Sequence, residues 1–169
     1  MTGLDPSPCS VGFARLRNPH AVIHSATLER YAECHPDHDF DVVLAIQVLQ
    51  CVLDLETFLS SARKLLRPSG VLILSIPDPE KYLAGRQDVW SFAEGVERPY
   101  NIHFRIRGGE THPAKYWFFQ RSWKTYVRSL LAAGLAVEYQ DTPEEIGDGR
   151  RFDTTFLVCR AISARCRMG

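Results

Sequence analysis

The sequence has no excess of charge of either sign: 20 Lys and Arg balance 20 Asp and Glu among 169 residues. A balanced chain has no global field that would draw it to nucleic acid, a membrane surface or acidic partners, so any such attraction must be local. The sequence also has no apolar run near the roughly 20 residues that a transmembrane helix needs. We therefore expect neither a membrane-spanning chain nor a nucleic-acid partner.

The five cysteines show no pairing pattern, because they are odd in number and scattered: Cys9, Cys34, Cys51, Cys159 and Cys166. The first residues also lack the charged and then apolar segment that a secretory signal requires. Both observations favour a reducing, cytoplasmic setting. The length is that of one globular domain, which we expect to span residues 1–169.

Two further absences argue against a hydrolase and against a structural zinc site. The sequence has no Gly-x-Ser-x-Gly elbow, so the scattered serine and histidine residues near its start do not indicate a hydrolase. The segment 34–38 (CHPDH) offers cysteine and histidine ligands, but a structural zinc site usually takes its four ligands as two separated pairs. No second pair exists, so we expect a polar loop and no metal.

What the sequence does contain is an alternation of strand-like and helical segments. Phe40–Ile46 is a near-continuous apolar run, which predicts a central strand buried on both faces, and Val71–Ile76 predicts a second such strand. Between them, Asp54 is a helix cap that precedes apolar residues at helical spacing. The segment 68–70 (PSG) predicts the turn into the second strand.

The second half of the chain shows the same kind of alternation between helical and strand-like segments. Ser122 predicts the start of a helix that ends at Gly134. Leu135–Tyr139 and Thr155–Cys159 then predict two strands with no helix between them, which favours antiparallel pairing. The fold class expected is α/β, a mostly parallel sheet with helices on both faces and an antiparallel final strand.

Two stretches, Phe40–Pro79 and Phe118–Glu145, resemble class I S-adenosylmethionine-dependent methyltransferases, in which a strand, a helix, a Pro-x-Gly turn and the next strand recur in that order. The resemblance implies a Rossmann-like sheet with strand order 3-2-1-4-5-7-6. The sequence before Asp5 holds only four residues, so the family's first strand, its glycine-rich loop and its first helix are expected to be absent. That absence predicts either a gap between the strand ending near Asp5 and the strand starting at Phe40, or a re-pairing of the strands.

The same resemblance implies S-adenosylmethionine as cofactor and names six residues beside it. Asp5 stands where the family has an acidic residue on the ribose hydroxyls, and Ser25 and Ala26 stand at the turn that receives the adenine amino group. Ala45, Ile46 and Gln47 would pass beside the methionine part. Gln50 and Cys51 follow, where relatives often carry histidine pairs near the reacting methyl group.

The apolar residues of 80–117 follow neither the spacing of a helix nor that of a strand. This segment resembles the family's insertion that forms a cap over the substrate pocket. Basic and aromatic residues interleave from Arg98 to Arg128. Aromatic walls suit a small, flat or apolar acceptor and basic residues suit an anionic one, while a basic groove with aromatic side chains suits single-stranded nucleic acid, a reading that the balanced net charge disfavours. His103 is the expected catalytic base, with Tyr100 as its helper.

These expectations favour transfer of a methyl group from S-adenosylmethionine to a small-molecule acceptor. The alternative is a catalytically silent methyltransferase-like chain that acts as a ligand- or partner-binding module. An uncovered strand at Phe40–Ile46 would also expose unpaired backbone groups, which predicts possible self-association through that sheet edge.

Overall fold

The computed structural model describes residues 1–37, 39–78, 97–105, 111–119, 121–143 and 154–162, with the backbone alone described for 97–105 and 111–118. Within these ranges the strands are β1 (Thr2–Asp5), β2 (Val22–Ser25), β3 (Phe40–Ile46), β4 (Leu66–Pro77), β5 (Glu97–Arg105), β6 (Thr111–Phe119), β7 (Leu135–Asp141) and β8 (Thr154–Ala161). The helices are α1 (Pro8–Arg17), α2 (Leu28–Cys34), α3 (Leu55–Lys64) and α4 (Trp123–Ala132), and a 3₁₀ turn spans Leu49–Cys51.

Each of the four helices begins at a residue whose side chain accepts a backbone N–H from three residues further on; these residues are Ser7, Thr27, Asp54 and Ser122. Such bonds satisfy donors that the first turn of a helix leaves unpaired. The predicted caps at Asp54 and Ser122 are therefore confirmed. Gly134 follows α4 with a φ of 72°, the left-handed conformation that glycine adopts at helix ends.

The strands form three groups. The largest is a four-stranded sheet in the order β3-β4-β8-β7, in which β3 and β4 are parallel and β8 runs antiparallel to both of its neighbours. A separate pair joins β1 and β2 in parallel, and β5 and β6 form an antiparallel pair. The α/β class and the antiparallel strand near the end of the sheet are confirmed.

A break lies between β1 and β3. In the described part of the chain, β1 pairs with β2 and β3 pairs with β4, with no ladder joining the two sheets. The pairs β2-β1 and β3-β4 and the order β3-β4-β8-β7 agree with the strand order that the resemblance implied, with its first strand left out. The helical layer still links the two groups, because Leu4 of β1 and Val43 of β3 both pack against one buried cluster, formed by Tyr31, Ala32 and Leu65.

The prediction that β3 is buried on both faces is wrong. Its bounds are as predicted, but Val42, Leu44 and Ile46 are 44%, 64% and 48% exposed. Residues at alternate positions point to the same face of a strand, so one face of β3 is open while the other meets the helices through Ala45, which is 3% exposed. Burial on both faces requires a neighbour that the described residues do not supply.

The predicted turn at 68–70 is also wrong, because β4 already begins at Leu66. Phe40 is opposite Leu66 and Val42 is opposite Val71, so β4 carries the extra residues as an irregularity within the ladder. The proline and glycine therefore mark a bulge and do not mark a connection between elements.

The main core lies between the four-stranded sheet and helices α3 and α4. Its fully buried members include Leu59, Leu72, Leu74, Leu130 and Leu157. The β5–β6 pair falls in the region where the apolar residues follow no regular spacing, so sequence reasoning missed this hairpin. It contacts the 3₁₀ turn through β6, next to the ends of β3 and β4.

Candidate cofactor and acceptor site

Asp5 and Ser25 end two adjacent parallel strands. They are register partners on β1 and β2, so both lie at the carboxyl edge of this pair. In open α/β sheets, ligands bind outside the carboxyl ends of the strands, at the point where the strand order reverses. Here β1 pairs with β2 and β3 pairs with β4 as separate ladders of the described residues, and the strand order that the resemblance implies has its reversal between them.

One oxygen of the Asp5 carboxylate has a structural partner. Oδ1 accepts the Ser7 N–H at 2.8 Å, which fixes the turn that leads into α1. The Asp5 backbone carbonyl accepts the Ala26 N–H at 3.2 Å, which ties the end of β2 to the end of β1. The half-buried Asp5 thus keeps Oδ2 for a ligand, and the hydroxyl of Ser25 is exposed beside it.

On the other side of the break, Ala45 and Ile46 end β3 and Gln47 directly follows it. The side chain of Ala45 is buried in the core, whereas that of Ile46 is exposed. Gln47 has a φ of 55°, the left-handed region that a residue other than glycine rarely adopts. Its N–H donates to the carbonyl oxygen and to Oγ of Ser75, both at 3.0 Å, and these bonds hold it there.

A chain of side-chain amides continues from Gln47. Gln50 Nε2 donates to the Gln47 carbonyl oxygen at 3.0 Å and to Gln47 Oε1 at 3.1 Å. Gln47 Nε2 in turn lies 3.4 Å from Ser75 Oγ and from Thr154 Oγ1. These bonds connect the loop after β3 to the ends of β4 and β8.

Arg121 binds the same loop from the other side. Its guanidinium donates to the carbonyl oxygens of Leu49 at 2.9 Å, Val52 at 2.5 Å and Leu53 at 3.0 Å. It also lies over the ring of Phe119, 4.7 Å from the centroid. Because Arg121 directly precedes the cap of α4, these bonds fix the 3₁₀ turn relative to that helix.

Cys51 closes the 3₁₀ turn and is exposed. Partial burial of the thiol raises its pKa, which disfavours the thiolate that a nucleophilic cysteine needs. Burial likewise raises the pKa of Tyr126 on α4, against an opposing effect of Arg121. Both groups are therefore neutral near pH 7, and the loop presents amides, a thiol and apolar side chains to a ligand.

The predicted base and its helper both lie on β5. His103 is opposite Pro113 and Tyr100 is opposite Tyr116 in the β5–β6 ladder, so both belong to the hairpin that contacts the 3₁₀ turn through β6. Their side chains lie outside the described part of the structure. Their roles, and that of 80–117 as a pocket cap, stay predictions.

A groove of about 400 Å³ lies elsewhere, between α3 and α4, where it is lined by Glu56, Thr57, Ser60, Ser61, Lys64, Ala132 and Ala133. It shares no residue with the predicted site. Over the described residues, none of the helices combines the length and the apolar composition needed to cross a membrane.

The first part of the chain matches a known family: residues 1–72 fit the profile described as Methyltransferase domain. Ubiquinone biosynthesis O-methyltransferase of Rhodopseudomonas palustris (strain TIE-1) is 32% identical over 75 residues, which are 43% of this chain and 29% of that protein. The protein of the same name from Bradyrhizobium diazoefficiens is 34% identical over 77 residues, again 43% of this chain and 29% of the relative. The chain thus matches less than a third of the length of these relatives.

Solved structures agree over nearly the whole chain. A SAM-dependent methyltransferase from Methanosarcina mazei has a TM-score of 0.69 at 17% identity, covering 96% of this chain and 82% of that one. The CcbJ methyltransferase from Streptomyces caelestis has a TM-score of 0.67 at 17% identity, covering 96% and 74%. At these identities the likeness shows the fold. This chain therefore has the fold of S-adenosylmethionine-dependent methyltransferases, and its residues 1–72 match the methyltransferase-domain profile.

Sequence reasoning predicted Asp5, Ser25 and the end of β3 as site residues, which stay predictions, and it missed the contacts of Arg121 and the amide network. Arg121 has no local signal, because its carbonyl partners are 68 to 72 residues away in sequence. Gln50 was noticed only as a replacement for a family residue. What distinguishes Gln50 is that its side-chain amide is buried within a loop, and the sequence alone does not reveal this burial.

Proposed function

We propose that this chain transfers a methyl group from S-adenosylmethionine to a small-molecule acceptor. The observation that carries the proposal is the register pair of Asp5 and Ser25, which ends two parallel strands inside the segment that matches the methyltransferase family. Two polar side chains at adjacent strand ends are suited to the polar edges of a nucleoside.

The residues present fit the adenosine end of this cofactor. Asp5 Oδ2 is positioned to accept ribose hydroxyl protons while Oδ1 stays on Ser7. Ser25, with Ala26 beside it, offers one hydroxyl to the adenine amino group, without the charge that strengthens such a bond. When bound, S-adenosylmethionine supplies a methyl group on a sulfonium sulfur, which is electrophilic enough to react with a lone pair.

The protein would catalyse the transfer mostly by positioning the acceptor, since displacement at the methyl carbon requires the acceptor to lie in line with the sulfur. Gln47 and the 3₁₀ turn form a rigid wall at the end of β3, beside Ile46. We propose that residues 80–117 cap the acceptor, and that His103, helped by Tyr100, takes a proton where the acceptor must lose one.

The curated relatives named above carry "O-methyltransferase" in their names. We extend that chemistry to this chain and propose a hydroxyl-bearing acceptor, methylated on oxygen. The neutral groups of the loop after β3 support an uncharged acceptor over an anion: among the side chains that the structure describes, the guanidinium beside this loop is that of Arg121, which already bonds three carbonyl oxygens.

We also propose that the chain is cytoplasmic and self-associates. Four cysteines in the described part of the chain are free, which supports a reducing setting. Self-association would use the open edge of β3, where exposed apolar side chains adjoin unpaired backbone groups.

Calorimetry with S-adenosylhomocysteine, the product of the reaction, tests the proposed function. Binding with one site per chain, together with transfer of tritiated methyl from S-adenosylmethionine to catechol, would support methyl transfer. Binding without transfer to a panel of phenols, alcohols and amines would favour the silent binding module, which the break between β1 and β3 also favours. Absence of binding would exclude methyl transfer by this chain and would favour a module that binds a partner or another ligand.

A further inference from the structure

The orientation of the Gln50 side-chain amide is fixed by its neighbours. Its nitrogen lies 3.0 Å from the Gln47 carbonyl oxygen and 3.1 Å from Gln47 Oε1. The backbone oxygen cannot donate, so the Gln50 atom that faces it must be the NH₂ group. Both amide hydrogens are used, and the carbonyl oxygen Oε1 must point away from Gln47.

That oxygen has no partner. Gln50 is 7% exposed, and Oε1 is the buried side-chain polar atom that the described part of the chain leaves without a hydrogen bond. Folded proteins pair the large majority of such atoms, and an exception needs an explanation such as a ligand or an ordered water. An amide oxygen accepts only, so the missing partner is an O–H or N–H donor.

The loop cannot easily turn Gln50 toward solvent. Arg121 holds the carbonyl oxygens on both sides of the residue, those of Leu49 and Val52. Gln47 holds the amide itself from a strained backbone conformation, the kind of strain that clusters at functional sites. The unpaired oxygen is therefore held in one place before any ligand binds.

We propose that Gln50 Oε1 accepts the hydroxyl hydrogen of the methyl acceptor, which makes Gln50 a specificity-determining residue. This inference rests on the proposed function. A buried acceptor that is built to bind a hydroxyl discriminates strongly against analogues that lack it, because those analogues leave the acceptor unpaired. The site would thus prefer a free hydroxyl to a methoxy group, which also favours release of an O-methylated product.

The hydrogen bond would also orient the acceptor for reaction. With its hydrogen on Gln50, the hydroxyl oxygen keeps its lone pairs for the new O–C bond. As that bond forms, the C–S bond of the methyl donor breaks and its electron pair goes to sulfur. The hydroxyl proton is released to a base or to water, because a neutral amide is not a base at neutral pH.

The test compares two probes that differ in the donor. Catechol has two hydroxyl groups, and 1,2-dimethoxybenzene has the same ring with none. We expect the unmodified chain to bind catechol at least about 10-fold more tightly, by NMR titration with and without S-adenosylhomocysteine. Gln50→Met has a similar length but no acceptor, and should bind the two probes about equally. Gln140→Met, an exposed position on β7, is the matched control and should keep the preference.

A preference that persists in Gln50→Met would overturn the inference, as would an unmodified chain that binds catechol no better than 1,2-dimethoxybenzene or binds neither. Thermal melts establish that each variant is folded, and Gln50→Leu takes the place of Gln50→Met if the latter is not. The proposed function is judged separately, by the heat of S-adenosylhomocysteine binding in the absence of either probe. Binding of S-adenosylhomocysteine with no catechol preference would therefore reject the role of Gln50 alone.

Discussion

The backbone carbonyl oxygen of Phe40 lies 2.8 Å from the position that a Cβ atom at Gly70 would occupy. A second backbone oxygen, that of Arg67, lies 3.1 Å from the same position. Gly70 is part of the irregularity in β4 that brings this strand against the start of β3. Because both close atoms belong to the backbone, neither can move aside as the end of a flexible side chain could.

Gly70→Ala should therefore destabilise the chain by about 1–3 kcal/mol, the usual cost of forcing an extra methyl group into a packed region. At this chain length, each kcal/mol corresponds to roughly 2–4 °C in melting temperature. Gly12→Ala is the control, because a Cβ there meets nothing within 4 Å and alanine favours the α1 helix. Equal melting temperatures for the two variants would show that the close approach does not constrain position 70.

The bulge in β4 and the exposure of β3 could not be predicted from the sequence. The bounds of β3 could be predicted because Asp39 and Gln47 bracket an unbroken apolar run. Its exposure could not, since a local pattern does not tell which strands will pair with it. The turn predicted at 68–70 failed for the same reason: Pro and Gly signal irregular backbone, but only the pairing with Phe40 decides whether that irregularity is a turn or a bulge.

The candidate site likewise has parts that could be predicted from the sequence and parts that could not. The places of Asp5 and Ser25 at the ends of short strands could be predicted because each belongs to a recognisable family pattern. The β5–β6 hairpin could not, because its basic and aromatic residues follow neither a period of 2 nor one of 3.6. The contacts of Arg121 and the unpaired oxygen of Gln50 depend on tertiary structure alone.

Asp5→Ala should weaken S-adenosylhomocysteine binding by roughly 1.5–3 kcal/mol, the range for hydrogen bonds to a charged group. The same substitution removes the bond to the Ser7 N–H, so a loss of helix stability must be separated from a loss of ligand contacts. Asp5→Asn makes the separation, because it keeps an acceptor for Ser7 and loses the charge. If calorimetry gave unchanged affinity for both variants, Asp5 would not contact the ribose.

Ser25→Asp should tighten the binding of S-adenosylhomocysteine, because a carboxylate accepts a hydrogen bond from the adenine amino group more strongly than a hydroxyl does. Ser25 is exposed at the end of β2, so the new charge stays in contact with water and adds little desolvation cost. Ser25→Ala is the matched control and should bind slightly less well than the unmodified chain. Calorimetry that showed weaker binding for Ser25→Asp would mean that residue 25 does not face the adenine.

The cap at Asp54 gives a prediction about pH. The Thr57 hydroxyl donates to Asp54 Oδ2 at 2.7 Å and the Thr57 N–H donates to Oδ1 at 2.9 Å; these bonds lower the pKa of the carboxyl below its ordinary value of 3.8. A lowered pKa in the folded state gives stability that is present above the unfolded pKa and is lost as pH falls through the folded one. Asp54→Ala should thus cost about 1 kcal/mol at pH 7.

The cost of Asp54→Ala should shrink in acid, below about pH 4, as the unmodified chain loses the carboxylate. Asp54→Asn is the control, since asparagine caps a helix about as well and does not titrate. Urea denaturation at a series of pH values measures all three chains. A cost that stays constant down to pH 2 would show that the charge of Asp54 adds nothing to the cap.

The final prediction concerns the open face of β3. Leu44 is 64% exposed between two other exposed apolar residues, on an edge strand whose residues 42–46 carry no charge. Natural sheets usually protect such edges with charged residues, lysine above all. We expect the unmodified chain to be only marginally stable and to form oligomers whose mass by light scattering rises with concentration. Leu44→Lys should shift it toward the monomer.

Leu131→Lys is the matched control, because Leu131 is 53% exposed on α4, away from any strand edge. If self-association arose from surface hydrophobicity in general, the two lysine variants would reduce it equally. If it uses the edge of β3, only Leu44→Lys should do so, since a lysine there opposes pairing with another strand as well as apolar contact. An unmodified chain that is monomeric and melts at about 45–65 °C, the ordinary range for mesophilic domains, would show that β3 is stable without a further strand.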